Sequence, residues 1–154
     1  MISIRDNIFS ILEKGISIGN SGAFLEWGIE LSKVKNNCEV YYEKYGKPNH
    51  IYFGNRTIFP NIELGLYTPF DTLKDNKGTG VLNHVGQNLG EDTMIKLIFE
   101  LTKILGEPDE KSVSYGTYMK WKDNFSYIEI TPRSHHGSDW NAIIIGTKMN
   151  FKNN

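Results

Sequence analysis

The feature that most constrains this 154-residue chain is an apparent repeat of itself. Residues 32–48 and 92–108 each open on a helix N-cap candidate, Ser32 or Asp92, and each close on Gly-x-Pro, Gly46-Lys47-Pro48 or Gly106-Glu107-Pro108. Between them, Val34/Met94, Cys38/Ile98, Tyr41/Leu101 and Tyr45/Leu105 occupy matched positions at spacings of 4, 3 and 4, the signature of one helical face. Glycine in the left-handed cap followed by proline then stops a helix. This predicts two copies of helix, Gly-x-Pro and hairpin, with half-repeats over 28–69 and 88–132 that pair Gly46 with Gly106 and Pro48 with Pro108.

A first helix is expected near 3–14, opened by Ser3 with Asp6 at the capping-box position and ended by Gly15, with Ile4, Ile8, Ile11 and Leu12 as its apolar face. The other two helices are expected near 33–45 and 93–105. Strands are read at His50–Phe53, closed by Gly54-Asn55, and at Ile62–Tyr67; a hairpin is read between Leu73 and Val81. Further strands fall at Tyr115–Trp121, Phe125–Ile130 and Trp140–Ile145, where Ile143-Ile144-Ile145 lacks alternation and so suggests burial on both faces. The expected fold class is therefore α+β, one domain over 1–154: a mostly antiparallel sheet with about three helices packed on it.

Composition narrows the function classes. Net charge −1 gives no global attraction to nucleic acid or to an anionic membrane. No window reaches the roughly 18 apolar residues of a membrane span, and the opening Met-Ile-Ser-Ile-Arg-Asp does not read as an export signal. With one cysteine, Cys38, no internal disulfide forms, and the chain is expected in the cytoplasm. Cys38 falls on an apolar helical face and reads as a small core residue rather than a nucleophile. Phosphate-loop, dinucleotide, GxSxG and HExxH patterns are absent, so no cofactor is implied.

Two clusters remain as sites. Residues 91–110 hold six acids and two bases, whereas 111–154 hold six bases and three acids. Glu91 and Asp92 suit a helix N-terminus; Glu100, Glu107, Asp109 and Glu110 read either as a solvated turn or as an acidic patch for a partner. His135, His136 and Asp139 lie in the polar stretch Pro132–Asp139, read as a solvated loop or, alternatively, as an acid–base or metal site of a small enzyme or ligand-binding protein. Adjacent side chains on a strand point apart, so no metal is assigned. His50 and His84 are isolated in the sequence. Of the abundant aromatics, among them Tyr42, Tyr45, Tyr52, Tyr67, Tyr127 and Trp140, most are expected in the core and some outward, where exposed rings fit an adaptor module or protein interface.

The stretch Gly28-Ile29-Glu30-Leu31-Ser32-Lys33-Val34, followed by Tyr45-Gly46-Lys47-Pro48, resembles the half-repeat of the BamE/beta-lactamase-inhibitor-protein group. Length, asparagine-rich composition, the α+β pattern, and Leu105-Gly106-Glu107-Pro108 followed by Tyr118 to Trp121 make the whole chain similar to cytoplasmic immunity proteins of bacterial polymorphic-toxin and contact-dependent inhibition systems. That resemblance implies a non-enzymatic protein whose partner is a cognate toxin, expected to be a nuclease, neutralised by covering its active surface, with no direct contact to nucleic acid or membrane.

Overall fold

A computed structural model describes residues 2–68, 80–114, 116–135 and 138–151. Among these the first helix, α1 (Ile4–Leu12), begins where Ser3 Oγ accepts the Asp6 backbone N–H at 3.0 Å. It buries Ile8, Phe9 and Leu12, while Ile4 and Ile11 remain exposed. Strands β1 (Gly15–Ser17) and β2 (Phe24–Glu26) form a small antiparallel ribbon.

The helix expected near 33–45 does not exist. Two single 3₁₀ turns, Leu31–Lys33 and Lys35–Asn37, lead into β3 (Val40–Lys44), which turns at Tyr45-Gly46 into β4 (Lys47–Phe59). Asn36-Asn37 are weak helix formers, Val40-Tyr41-Tyr42 are strong strand formers, and the Glu39 N–H already donates to the Tyr52 carbonyl at 2.9 Å. Tyr45 and Gly46 both have positive φ, 54° and 75°, as a two-residue type I′ hairpin requires. Gly46 is thus a turn residue rather than a helix cap. Pro48 sits beside a register shift between Tyr42 and Glu43, where a strand tolerates a missing N–H.

Strand β4 runs on through Gly54-Asn55, read from the sequence as a turn, and ends at Pro60-Asn61 before β5 (Ile62–Thr68). The Leu73–Val81 hairpin lies, apart from its last residues, outside the described residues. Strand β6 (His84–Leu89) precedes helix α2 (Glu91–Leu105), which buries Met94, Leu97, Leu101 and Leu105 and ends at Gly106, φ 79°. There follow β7 (Glu110–Ser112), β8 (Tyr118–Lys122), β9 (Ser126–His135) and β10 (Ser138–Thr147). Strand β9 continues through Thr131-Pro132, so the stretch read as a loop after Ile130 is mostly sheet.

Beyond the small ribbon, the strands form one eight-stranded sheet in the order β3-β4-β5-β6-β10-β9-β8-β7, antiparallel at every pairing. The three-helix α+β expectation is overturned: strand dominates, and two α-helices are present among the described residues. The duplication at an offset of sixty fails with it, since Gly46 closes a hairpin and Gly106 caps a helix. A different two-fold relation replaces it. Helix α1 precedes the run β3 to β6, α2 precedes the run β7 to β10, and the last strands of the two runs, β6 and β10, pair at the centre.

Both helices, the ribbon and the 3₁₀ turns cover one face of the sheet. Ile8, Phe9, Trp27 and Val34 join Leu97 and Leu101 over Phe53, Leu66, Val85, Ile130, Ile143 and Ile145. Burying roughly a dozen such side chains, each contributing on the order of 2 kcal/mol, is what holds the layers together. Ile143, Ile144 and Ile145 are all buried: Ile143 and Ile145 face the helical layer, and Ile144 lies on the opposite side between its cross-strand partners Gly86 and Glu129. Among the described residues no helix is long and apolar enough to cross a membrane.

Candidate interaction face

Side chains alternate across a strand, so fixing the core face fixes the other. With Ile51 and Phe53 inward on β4, Leu64 and Leu66 on β5, and Ile143 and Ile145 on β10, the registers place Tyr42, His50, Tyr52, Tyr67, His84, Ile144, Tyr127, Glu129, Lys120 and Lys122 on the opposite side. Among the described residues no helix covers that side.

Its β3–β5 half is aromatic. Tyr42 stacks on His50 at 6.1 Å between centroids, His50 leans on Tyr67 at 5.5 Å, and Tyr67 meets Tyr52 at 4.5 Å. These are cross-strand and diagonal neighbours: Tyr42 faces His50, and Tyr52 faces Tyr67. Glycines let the rings lie down. A carbon added at Gly65 would sit 3.1 Å from Tyr52 Oη, and one at Gly146 would sit 2.7 Å from Tyr127 Oη; Gly86 is the direct partner of Tyr67. Tyr52, Tyr67 and Tyr127 thus each have a side-chain-free position beside them and lie half-buried on this face, while Tyr42 is exposed. The Tyr52 hydroxyl, held to Asn55 Oδ1 at 3.1 Å, is pushed above the ordinary tyrosine range by desolvation, helped by Tyr67, Glu39 and Glu63.

The other half is charged but internally compensated. Lys120 lies 5.0 Å over the Tyr127 ring and 3.8 Å from the Glu129 carboxylate. Tyr118 also sits above its ordinary range, through desolvation and then the nearby Glu129 and Glu110 carboxylates.

Three of the four predicted acids are drawn into ion pairs. Asp109 accepts from the Arg5 guanidinium and, at 2.9 Å, from the Lys122 N–H. Desolvation alone would raise its carboxyl, but the Lys122 and Arg5 hydrogen bonds outweigh it and hold the group below the usual range. Glu110 pairs with the Lys122 ammonium, which lowers its carboxyl in turn. Glu100 lies 3.4 Å from Lys103 within α2. Glu107 is exposed after the helix.

His135 ends β9 and Asp139 lies near the start of β10, in a register that pairs His135 with Ser138 and Asp139 with Ser134; His136 lies outside the described residues. Among the described residues no group of three His, Cys, Asp or Glu is placed to hold a metal. Cys38 is half-buried; its thiol donates to the Lys35 carbonyl at 3.2 Å, and desolvation keeps it protonated. The aromatic stack was missed in the sequence because His50 has no partner nearby in the chain. The available signal was the alternation His50-Ile51-Tyr52-Phe53 set against Glu63-Leu64-Gly65-Leu66-Tyr67. Comparison with known proteins returns no matching family model, curated protein or solved structure.

Proposed function

We propose that this protein acts by binding another protein, as an immunity-type inhibitor that covers a cognate bacterial toxin in the cytoplasm, and that the helix-free face of the sheet is its contact surface. The observation that carries the reading is the Tyr42–His50–Tyr67–Tyr52 stack, with Tyr42 64% exposed. Rigid, partly exposed aromatics with few rotamers to freeze are the side chains that dominate contact energies at protein interfaces. The acidic segment supports it less, because Asp109 and Glu110 are already neutralised by Arg5 and Lys122.

The test uses the whole chain as bait in native cell lysate, beside a Tyr42→Ala/His50→Ala variant whose substitutions fall on exposed residues. The wild-type chain is expected to retain a stoichiometric protein that arrests growth when expressed alone and is silenced by co-expression; the variant, folded, is expected to lose it. A captured partner that is harmless would remove the toxin reading. A partner held equally by both chains would remove the face.

A further inference from the structure

We propose that the β3–β4 hairpin is a recognition finger whose tip residue, Tyr45, enters an apolar pocket rimmed by acidic side chains on the partner protein. The proposal rests on the binding reading above and names the contact that reading leaves open.

The tip is a two-residue loop, because Lys44 and Lys47 form the last ladder pair. Both loop positions are left-handed, a conformation that glycine and asparagine adopt readily and that costs another L-residue about 1 kcal/mol. Among the described residues two non-glycines have positive φ: Asn61, at 63°, and Tyr45, at 54°. Asparagine suits its turn. Tyrosine does not suit its own, and its ring is 91% exposed, so burial within the fold does not offset the conformational cost. An unfavourable backbone held at a fully presented aromatic points to use outside the fold.

The surroundings describe the partner. The described pairing of β4 with β5 begins at Ile51, so among the described residues 42–50 pair as a two-stranded ribbon. Tyr42 and His50, the outer members of the aromatic stack, stand on that ribbon, so the finger and the sheet face form one continuous surface. Lys44 and Lys47 flank the tip, and Lys44 Nζ lies 5.6 Å over the Tyr45 ring. Glu43 is turned to the other side, where its carboxylate accepts from the Tyr41 hydroxyl at 3.2 Å. The tip is therefore an aromatic ring beside the Lys44 ammonium, with Lys47 paired across the ladder from Lys44, and its complement is an apolar pocket with carboxylates at the mouth.

Because asparagine is a better type I′ residue than tyrosine, Tyr45→Asn separates binding from folding. The probe is the protein captured by the wild-type chain in the experiment above, identified, purified and titrated against each variant. Tyr45→Asn is expected to melt no lower than wild type while binding about tenfold more weakly or worse. Tyr45→Phe is expected to retain binding, and Lys44→Glu/Lys47→Glu to slow association most at low salt. Wild-type affinity in Tyr45→Asn, with the partner still held by the parent chain, would overturn the finger and leave the binding reading standing. Capture of no partner by the parent chain would overturn both.

Discussion

Arg5 and Asp109 join the two ends of the helical layer. The guanidinium on α1 donates to the Asp109 carboxylate, to the Leu105 carbonyl at the end of α2 and to the Lys122 carbonyl on β8. One arginine thus satisfies a carbonyl at a helix C-terminus, where a positive charge is also favoured, and ties it to a strand.

Stability should follow the Asp109 titration. Its folded carboxyl lies below the usual range, so its contribution is complete above the unfolded aspartate value, near 3.9, and is lost as pH falls through the lower folded value. Asp109→Asn should flatten the acid limb of a plot of urea midpoint against pH. At neutral pH, Asp109→Ala should cost about 1 kcal/mol, a figure discounted for the pair's partial exposure.

Charge reversal of the acidic segment should act on folding as well as on any partner. Asp109→Lys/Glu110→Lys sets like charges against Arg5 and Lys122 and is expected to lower the melting temperature, with partial recovery when Arg5→Glu is added. An unchanged melting temperature would mean that these pairs contribute nothing and that the acids are free to serve a partner.

Gly146→Ala should be costly although alanine prefers neither face of a sheet. Its methyl carbon would come within 2.7 Å of Tyr127 Oη and 2.9 Å of the Asn83 carbonyl oxygen. Relief requires both tilting the ring and shifting the Asn83 backbone, at about 1–3 kcal/mol. Calorimetry of the variant and of Gly146→Ala/Tyr127→Ala checks this, the second change removing part of the clash.

Trp121 is fully buried, and its indole N–H donates to the Gly106 carbonyl at 2.9 Å, binding the cap of α2 to β8. Trp121→Phe should cost about 1–2 kcal/mol by leaving that carbonyl unpaired. Trp121→Ala should cost about 3–5 kcal/mol through the cavity as well. Denaturant unfolding with unchanged m-values distinguishes the two.

Helices α1 and α2 were legible because their signals are local: Ser3 caps the first, and Met94, Leu97, Leu101 and Leu105 repeat at helical spacing in the second. Segment 33–45 misled because its apolar spacing survives in a strand that turns, and Gly46 serves a hairpin as readily as a helix end. Propensity at Asn36-Asn37 and Val40-Tyr41-Tyr42 was the better discriminator. The acids were visible, but their partners were not, since Arg5 lies 104 positions from Asp109. The open face depends on sheet order, above all on β6 meeting β10, and no local pattern in the sequence encodes that.

The central pairing of β6 with β10 also orders the fold in time. Strand β10 follows every other described strand in sequence yet stands between β6 and β9 at the middle of the sheet. During synthesis, therefore, β3 to β6 and β7 to β9 emerge with their inner edges unpaired, and a chain stalled before residue 138 holds two sheet fragments without a shared seam. Such edges are where nascent sheets aggregate, and closing them brings together residues far apart in sequence, which is slow. The isoleucine-rich seam strand is thus the one on which closure of the sheet waits.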